Sequence, residues 1–147
     1  MAATGSQTFN NNSIVTAFNK NAAAAGSVTC FTSGSSSATG AVHNMTNNNF
    51  SNITTTAPIT GISNSDGSVS GATRTVTGNN FSNWTSTGAA TAISGITYNY
   101  LGGTSSISNN TLYNYSGLSS ITGITIGSSG NLANPLTVSN NNIYKFA

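Results

Sequence analysis

The sequence predicts an all-β fold, a parallel β-solenoid of about four to five coils with a 31-residue repeat. Three observations predict it: a motif returns every 31 residues, the apolar residues of that motif are strand formers, and charge is almost absent. Only 3% of the 147 residues are Asp, Glu, Lys or Arg, whereas ordinary globular domains carry about 25%. The first two observations indicate the architecture, and the third restricts the function.

The repeated motif is nine residues long and aligns four times without gaps. Each copy starts at an apolar residue, carries Asn at its fourth position, and has further apolar residues at its sixth and ninth positions. A fixed period of this length is typical of repeat proteins, in which each unit contacts its neighbours along one axis. The four copies are Met45–Ile53, Val76–Trp84, Ile107–Tyr115 and Val138–Phe146.

Residue chemistry favours strands over helices within each unit. Asn, Ser, Thr and Gly dominate, and most of the apolar positions of the repeat are Val, Ile, Phe, Tyr and Trp, which are residues of strands and turns. No apolar stripe with the 3.6-residue helical period persists along the chain. We therefore expect two or three short strands per unit, each pairing in parallel with its copy in the next coil, about 4.8 Å away.

The Asn at the fourth position predicts a structural ladder. If one unit is one coil, Asn48, Asn79, Asn110 and Asn141 stack in a column of side-chain amides that can hydrogen-bond along the stack. Asn also tolerates the left-handed backbone conformation that a sharp bend needs. Charged residues in such a column would repel one another, which explains their scarcity.

The period extends into a second region of the unit. Segments 60–63, 91–94 and 122–125 repeat at the same interval. A Thr column on a flat solenoid face suggests ice binding, but the rank expected beside it is Ile, so ice binding is the least favoured function. The expected columns are Thr60, Thr91 and Thr122, and Ile62, Ile93 and Ile124.

We predict a single β-solenoid domain over 1–147. An irregular first coil occupies 8–44, regular coils occupy 45–75, 76–106 and 107–137, and a partial coil occupies 138–147. The first copy starts at Phe9, 36 residues before Met45. Its five additional residues are expected between Lys20 and Gly34, where Ala22–Ala25 suggests a loop or a single helical turn.

The motif apolar-x-Asn-Asn-x-apolar-x-Asn, followed by a Gly-Ile strand, resembles the right-handed parallel β-helix of the pectin-lyase-like superfamily. It is most similar to the Asn-rich repeat regions of bacterial secreted or cell-surface proteins, over roughly 8–147. The resemblance implies a right-handed coil and an extracellular or cell-surface location. It does not select a function, because the superfamily contains lyases, hydrolases, tailspikes, adhesins and filament proteins.

Residues for catalysis or metal binding are too few. The enzymes that this chain resembles use clusters of Asp, and glycoside hydrolysis needs two carboxylates, but the only acid is Asp66, in a predicted turn. We expect His43 at the surface or an edge and Cys30 as a small buried apolar residue. One His and one Cys do not make a zinc site. We therefore predict no enzyme, no cofactor and no metal.

Partners follow from charge and aromatic placement. Lys20, Arg74 and Lys145 are too dispersed to neutralise a phosphate backbone, so no nucleic acid is expected. No apolar run is long enough for membrane insertion. Tyr113 and Tyr144 fall one place after an inward column and should adjoin on the outer face. They are either an aromatic ladder or a possible glycan contact.

We therefore expect a structural, non-catalytic module of an extracellular fibre, stalk or adhesin. The alternative is a carbohydrate-binding module of a polysaccharide-processing protein. No signal peptide is evident, and the chain starts and stops within a unit without an evident polar cap. Open parallel strand edges template further pairing, so we expect copies to stack through the solenoid ends, head to tail, into filaments.

Overall fold

The computed structural model describes residues 6–20, 26–33, 42–65, 73–99, 104–127 and 136–147, and these residues form strands, turns and bends with no helix. The strands are β1 (Ser6–Asn10), β2 (Ser13–Ile14), β3 (Phe18–Lys20), β4 (Val28–Ser33), β5 (Val42–Thr46), β6 (Asn49–Thr55), β7 (Ile59–Asn64), β8 (Thr73–Thr77), β9 (Asn80–Ser86), β10 (Ile93–Tyr98), β11 (Ser105–Ser108), β12 (Thr111–Gly117), β13 (Ile121–Ile126), β14 (Leu136–Ser139) and β15 (Asn142–Phe146).

These strands form three sheets that the chain visits in turn. Sheet A has the order β1-β5-β8-β11-β14, sheet B the order β2-β6-β9-β12-β15 with β3 also on β6, and sheet C the order β4-β7-β10-β13. Every pairing is parallel. In sheet A, register partners lie 31 residues apart from Met45 through Val76 and Ile107 to Val138. The predicted all-β parallel solenoid is confirmed.

The first coil is longer than the later ones. Lys20 and Val28 are eight residues apart, whereas their partners Thr55 and Ile59 are four apart. Four additional residues therefore lie between Lys20 and Val28. The helical turn suggested for Ala22–Ala25 lies outside the described residues.

The fifth additional residue is not where the sequence placed it. Ile14 and Phe18 are four residues apart, and their partners Phe50 and Ile53 are three apart. The additional residue interrupts the strand, which is why the first coil has the separate strands β2 and β3 where later coils have one.

The predicted register of sheet C is wrong in the third coil. Ser94, and not Thr91, pairs with Thr60 on one side and Thr122 on the other. In that coil the Thr column and the Ile column both shift by three residues, so that Ile96 takes the place predicted for Ile93. The observed apolar columns are Ile59–Ile93–Ile121 and Ile62–Ile96–Ile124.

The shift has a local cause in the turn before β10. Ser86 and Ile93 are seven residues apart, whereas Gly117 and Ile121, their partners in the next coil, are four apart. Thr91 closes this longer turn, because its hydroxyl donates to the Gly88 carbonyl oxygen at 2.8 Å. The connection from β10 to β11 is three residues shorter than its neighbours, so sheet A returns to its 31-residue spacing.

The interior of the coil is filled by inward side chains from all three sheets. Trp84, Tyr115 and Phe146 stack with centroid distances of 4.9 and 4.8 Å and ring planes within 3° of parallel. Such aromatic stacks contribute beyond the area they bury. The buried apolar core comprises Met45, Phe50, Ile53, Ala57, Ile59, Ile62, Val76, Phe81, Trp84, Ile93, Ile96, Tyr98, Ile107, Leu112 and Tyr115.

A glycine column lets sheet C approach this core closely. Gly95 lies in the third coil, and a Cβ atom there would collide with Leu112 and with the Gly123 carbonyl oxygen. Gly61 holds the equivalent position, where a Cβ would meet Trp84 at 3.0 Å. Cys30 holds this position in the first coil, between the register pairs of Thr29 and Phe31. The column therefore admits only small side chains.

We predict that Tyr115→Phe stabilises the protein. The Tyr115 hydroxyl is buried and makes no hydrogen bond in the described structure, so its desolvation is uncompensated. Removing it while keeping the stacked ring should raise the free energy of unfolding by about 1 kcal/mol, measured by urea denaturation. Tyr144→Phe, on an exposed ring, is the matched control and should change little. A loss of stability in Tyr115→Phe would contradict the interpretation.

Candidate functional site

The asparagine ladder is the most regular polar feature of the chain. It forms as the sequence predicts, with Asn12 of the first coil as an additional member. Asn48, Asn79 and Asn110 are at most 2% exposed. A buried amide is costly unless its donors and acceptors are all satisfied.

Asn79 shows how the ladder satisfies each amide. Its Oδ1 accepts from the backbone N–H and the Nδ2 of Asn48 at 3.0 and 2.8 Å. Its Nδ2 donates to Oδ1 of Asn110 and to the Met45 carbonyl oxygen, both at 2.9 Å. These four bonds use the two donors and two acceptor sites that the amide possesses.

The left-handed conformation lies beside the ladder and not on it. Asn47, Asn109 and Asn140, each one residue before a ladder Asn, have φ between 54° and 55°. Gly78 takes the same place in the third coil with φ 69°. We expected one Asn to provide both the stacked side chain and the left-handed backbone conformation of the bend, and this expectation is wrong. The preceding residue has the left-handed conformation, and the ladder residue provides the stacked amide.

A second ladder runs along the exposed face of sheet B. Asn83 Nδ2 donates to Asn52 Oδ1, and Asn114 Nδ2 donates to Asn83 Oδ1, both at 3.0 Å. These residues also have positive φ, between 56° and 62°. The next position is Lys145, which keeps the left-handed backbone with φ 55° but has no amide, so the exposed ladder ends there.

Tyr113 and Tyr144 pair on the outer face. Their ring centroids are 4.5 Å apart with planes tilted by 32°. Lys145 Nζ lies 5.3 Å from the Tyr113 ring centroid and donates to its hydroxyl at 3.4 Å. Because the two rings pack on each other and Lys145 lies over one of them, a sugar could stack only on the ring faces left outside the pair.

The sequence context suggested that His43 lies at the surface or at an edge, but the structure buries it. It is 5% exposed, and its register partner Arg74 is 1% exposed. Strand alternation explains this, because His43 lies two residues before the inward Met45 and therefore shares its face. That alternation was the sequence signal for a buried His. Asp66 lies outside the described residues.

Cys30 packs against the core, as expected for a small apolar residue. Burial raises the pKa of its thiol to about 12, so the thiolate, which is the reactive form, is suppressed at neutral pH. Within the described ranges, no three His, Cys, Asp or Glu residues come together as a metal site. In the same ranges no helix is long and apolar enough to cross a membrane.

Comparison with known proteins gave no relative: no protein-family model, curated protein or solved structure matches this chain.

We predict that Asn79→Asp is strongly destabilising. A carboxylate cannot donate to Asn110 Oδ1 or to the Met45 carbonyl oxygen, and its charge would be buried. The expected loss exceeds about 3 kcal/mol, measured by chemical denaturation. Asn83→Asp is the matched control in the exposed ladder. It should lose at most about 1 kcal/mol, because its charge stays in water and Asp also tolerates positive φ. Equal losses would show that burial of the ladder is unimportant.

We predict that stability falls at alkaline pH. The Cys30 pKa rises from 9.0 to about 12 on folding, and burial also raises the pKa of the Tyr115 phenol above its ordinary value. The native state therefore keeps protons that the unfolded chain releases, so stability is full below about pH 9 and declines as pH rises toward 12. Denaturation midpoints across this window should fall, and Cys30→Ala should fall less steeply than the unmodified chain. An identical slope in the variant would contradict the assignment.

Proposed function

We propose that this chain is a structural, non-catalytic module of an extracellular fibre, stalk or adhesin, folded as a right-handed, pectin-lyase-like solenoid. The observation that supports this proposal is the recurrence of the same amide ladder through every described coil, from Asn12 to Asn141. Such a column stiffens the stack along its axis and carries nothing specific to one coil.

The placement of the chemically versatile side chains also supports a structural role. His43, Arg74 and Tyr115 are at most 5% exposed, and Cys30 packs against the core. Strand alternation leaves the outer faces mainly to Ser, Thr and Asn. These residues present neutral hydroxyls and amides, which carry no charge to concentrate a substrate ion.

Localisation and activity together test the proposal. Immunogold electron microscopy of intact cells that make the protein should label surface fibres or the outer envelope. Purified chain incubated with a panel of acidic and neutral polysaccharides should release neither reducing ends nor unsaturated products. Intracellular label alone, or turnover of any polysaccharide by the purified chain, would overturn the proposal.

The carbohydrate-binding alternative depends on Tyr113 and Tyr144. A glycan array reports on it directly, because binding that is retained in Tyr144→Phe and lost in Tyr144→Ala would assign a stacking role to the ring. In that case the chain would be a carbohydrate-binding module of a polysaccharide-processing protein.

The observed register of sheet C supports ice binding better than the register predicted from the sequence. The rank beside the Thr60 column consists of hydroxyl residues, and the Ile side chains point inward. Four coils thus present two parallel ranks of partly or fully exposed Ser and Thr, one coil spacing apart. The ranks are Thr29–Thr60–Ser94–Thr122 and Thr32–Ser63–Thr97–Thr125.

Thermal hysteresis measurements test the ice-binding candidate. Ice binding requires the unmodified chain to depress freezing below melting, and requires Thr97→Tyr, which breaks the flat face of sheet C, to abolish the effect. Thr75→Tyr, on the outer face of sheet A, is the matched control and should keep it. Absence of hysteresis in the unmodified chain would eliminate the candidate.

A further inference from the structure

The buried ladder has a direction along the solenoid. Asn12 donates from its backbone N–H and its Nδ2 to Oδ1 of Asn48, both at 3.0 Å. The same two donors of Asn110 reach Oδ1 of Asn141 at 3.0 and 2.9 Å. In every step the donors belong to the earlier coil and the acceptor to the later one. The first coil therefore presents the amide oxygen of Asn12 and the last coil presents the N–H groups of Asn141.

Both ends also present apolar side chains in line with the interior columns. At the last coil, Val138 and Ile143 are 45% and 44% exposed, and they line an open cavity of about 420 Å³ together with Ile124 and Ile126. At the first coil, Ile14 and Phe18 are 44% and 42% exposed. Apolar side chains of these columns are buried in the middle coils and exposed in the first and last coils.

We propose that the last coil binds the first coil of a second copy of this chain, in one register set by the ladder. The amide of Asn141 donates to Asn12 Oδ1 of the second copy, as each Asn does to the next within the chain. Phe9, Ile14 and Phe18 of the second copy then follow Val138, Ile143 and Phe146 in their columns. This inference rests on the proposed structural function and names its partner.

The ladder's direction decides the geometry of assembly. Two first coils facing each other would oppose amide oxygen to amide oxygen, and two last coils would oppose N–H to N–H. Only head-to-tail contact pairs the donors of the ladder with its acceptors. It is a heterologous contact that leaves both outer ends free, so it propagates into a filament instead of closing into a dimer.

Sheets A and B carry the proposed contact. β14 and β15 face β1, β2 and β3 of the second copy, and their backbone groups continue the parallel pairing. The last strand of sheet C is β13, which lies one coil before β14 and β15. Its Ile124 and Ile126 remain beside the join as the wall of the cavity at the last coil.

Complementary blocking variants test the proposal. Phe18→Lys places a charge on the first coil and Val138→Lys places one on the last coil, both at exposed side chains. Ala90→Lys, in the exposed turn before β10, is the matched control. Native mass spectrometry and electron microscopy of the 147-residue chain should show a ladder of oligomers for the unmodified protein and for Ala90→Lys. Each blocked variant alone should be monomeric, and an equimolar mixture should give a 1:1 dimer and nothing larger.

Circular dichroism keeps the test independent of folding, and Ile14→Lys or Ile143→Lys replaces either variant that fails to fold. A monomeric unmodified chain at its highest soluble concentration would overturn the proposal. So would a dimer formed by one blocked variant alone, because that contact would not be head to tail. Neither result affects the structural function, which the labelling and turnover experiments decide separately.

Discussion

The structure depends on how the backbone turns the corner between sheet A and sheet B. At that corner the ladder residue's N–H leaves the strand pairing, and a buried N–H without an acceptor is rarely tolerated. The side-chain oxygen of the next coil's Asn supplies the acceptor, as Asn79 does for Asn48 at 3.0 Å. The bond forms only when successive coils are in step. The ladder therefore satisfies the corner and fixes the register together.

This requirement explains why the position is Asn. The side chain must accept two hydrogen bonds from one coil and donate to both the next amide and a carbonyl oxygen of the previous coil, as Asn110 does with Asn141 and Val76. Asp lacks the donors and Ser has only one. A charged residue repeated at the ladder position would lie one strand spacing from its own copy in each neighbouring coil, so the ladder excludes charge, although Arg74 is buried elsewhere in the stack. This exclusion contributes to the low charge of the composition.

Sequence reasoning predicted sheets A and B because their strands adjoin one contiguous motif. Each nine-residue copy of that motif contains the ladder residue, the bend and the residues of three inward columns at fixed offsets, so a single alignment fixes all of them. The division of labour between Asn47 and Asn48 was not predictable from composition, since both are Asn and only the backbone angles distinguish them. The inward placement of His43 could have been predicted, because His43 and the inward Met45 are two residues apart on one strand.

Sheet C was mispredicted because a short match outweighed a structural signal. Thr91-Ala-Ile-Ser aligned by residue type with Thr60-Gly-Ile-Ser at the expected interval. The alternative, Ile93-Ser-Gly-Ile, places Gly95 over Gly61, and a Cβ atom at either glycine would collide with a neighbouring carbonyl oxygen. Position in a tight contact is a stronger constraint than identity in an open turn, so the glycine should have set the alignment.

The turn between sheets B and C also differs in length from coil to coil. Lys20 and Val28 are eight residues apart, and Ser86 and Ile93 are seven apart. The equivalent residues of the second and fourth coils are four apart. The strands on either side pair normally in each case. The fold thus tolerates added sequence at one edge of the rod without disturbing its neighbours. That edge is where a binding loop or an epitope could be grafted.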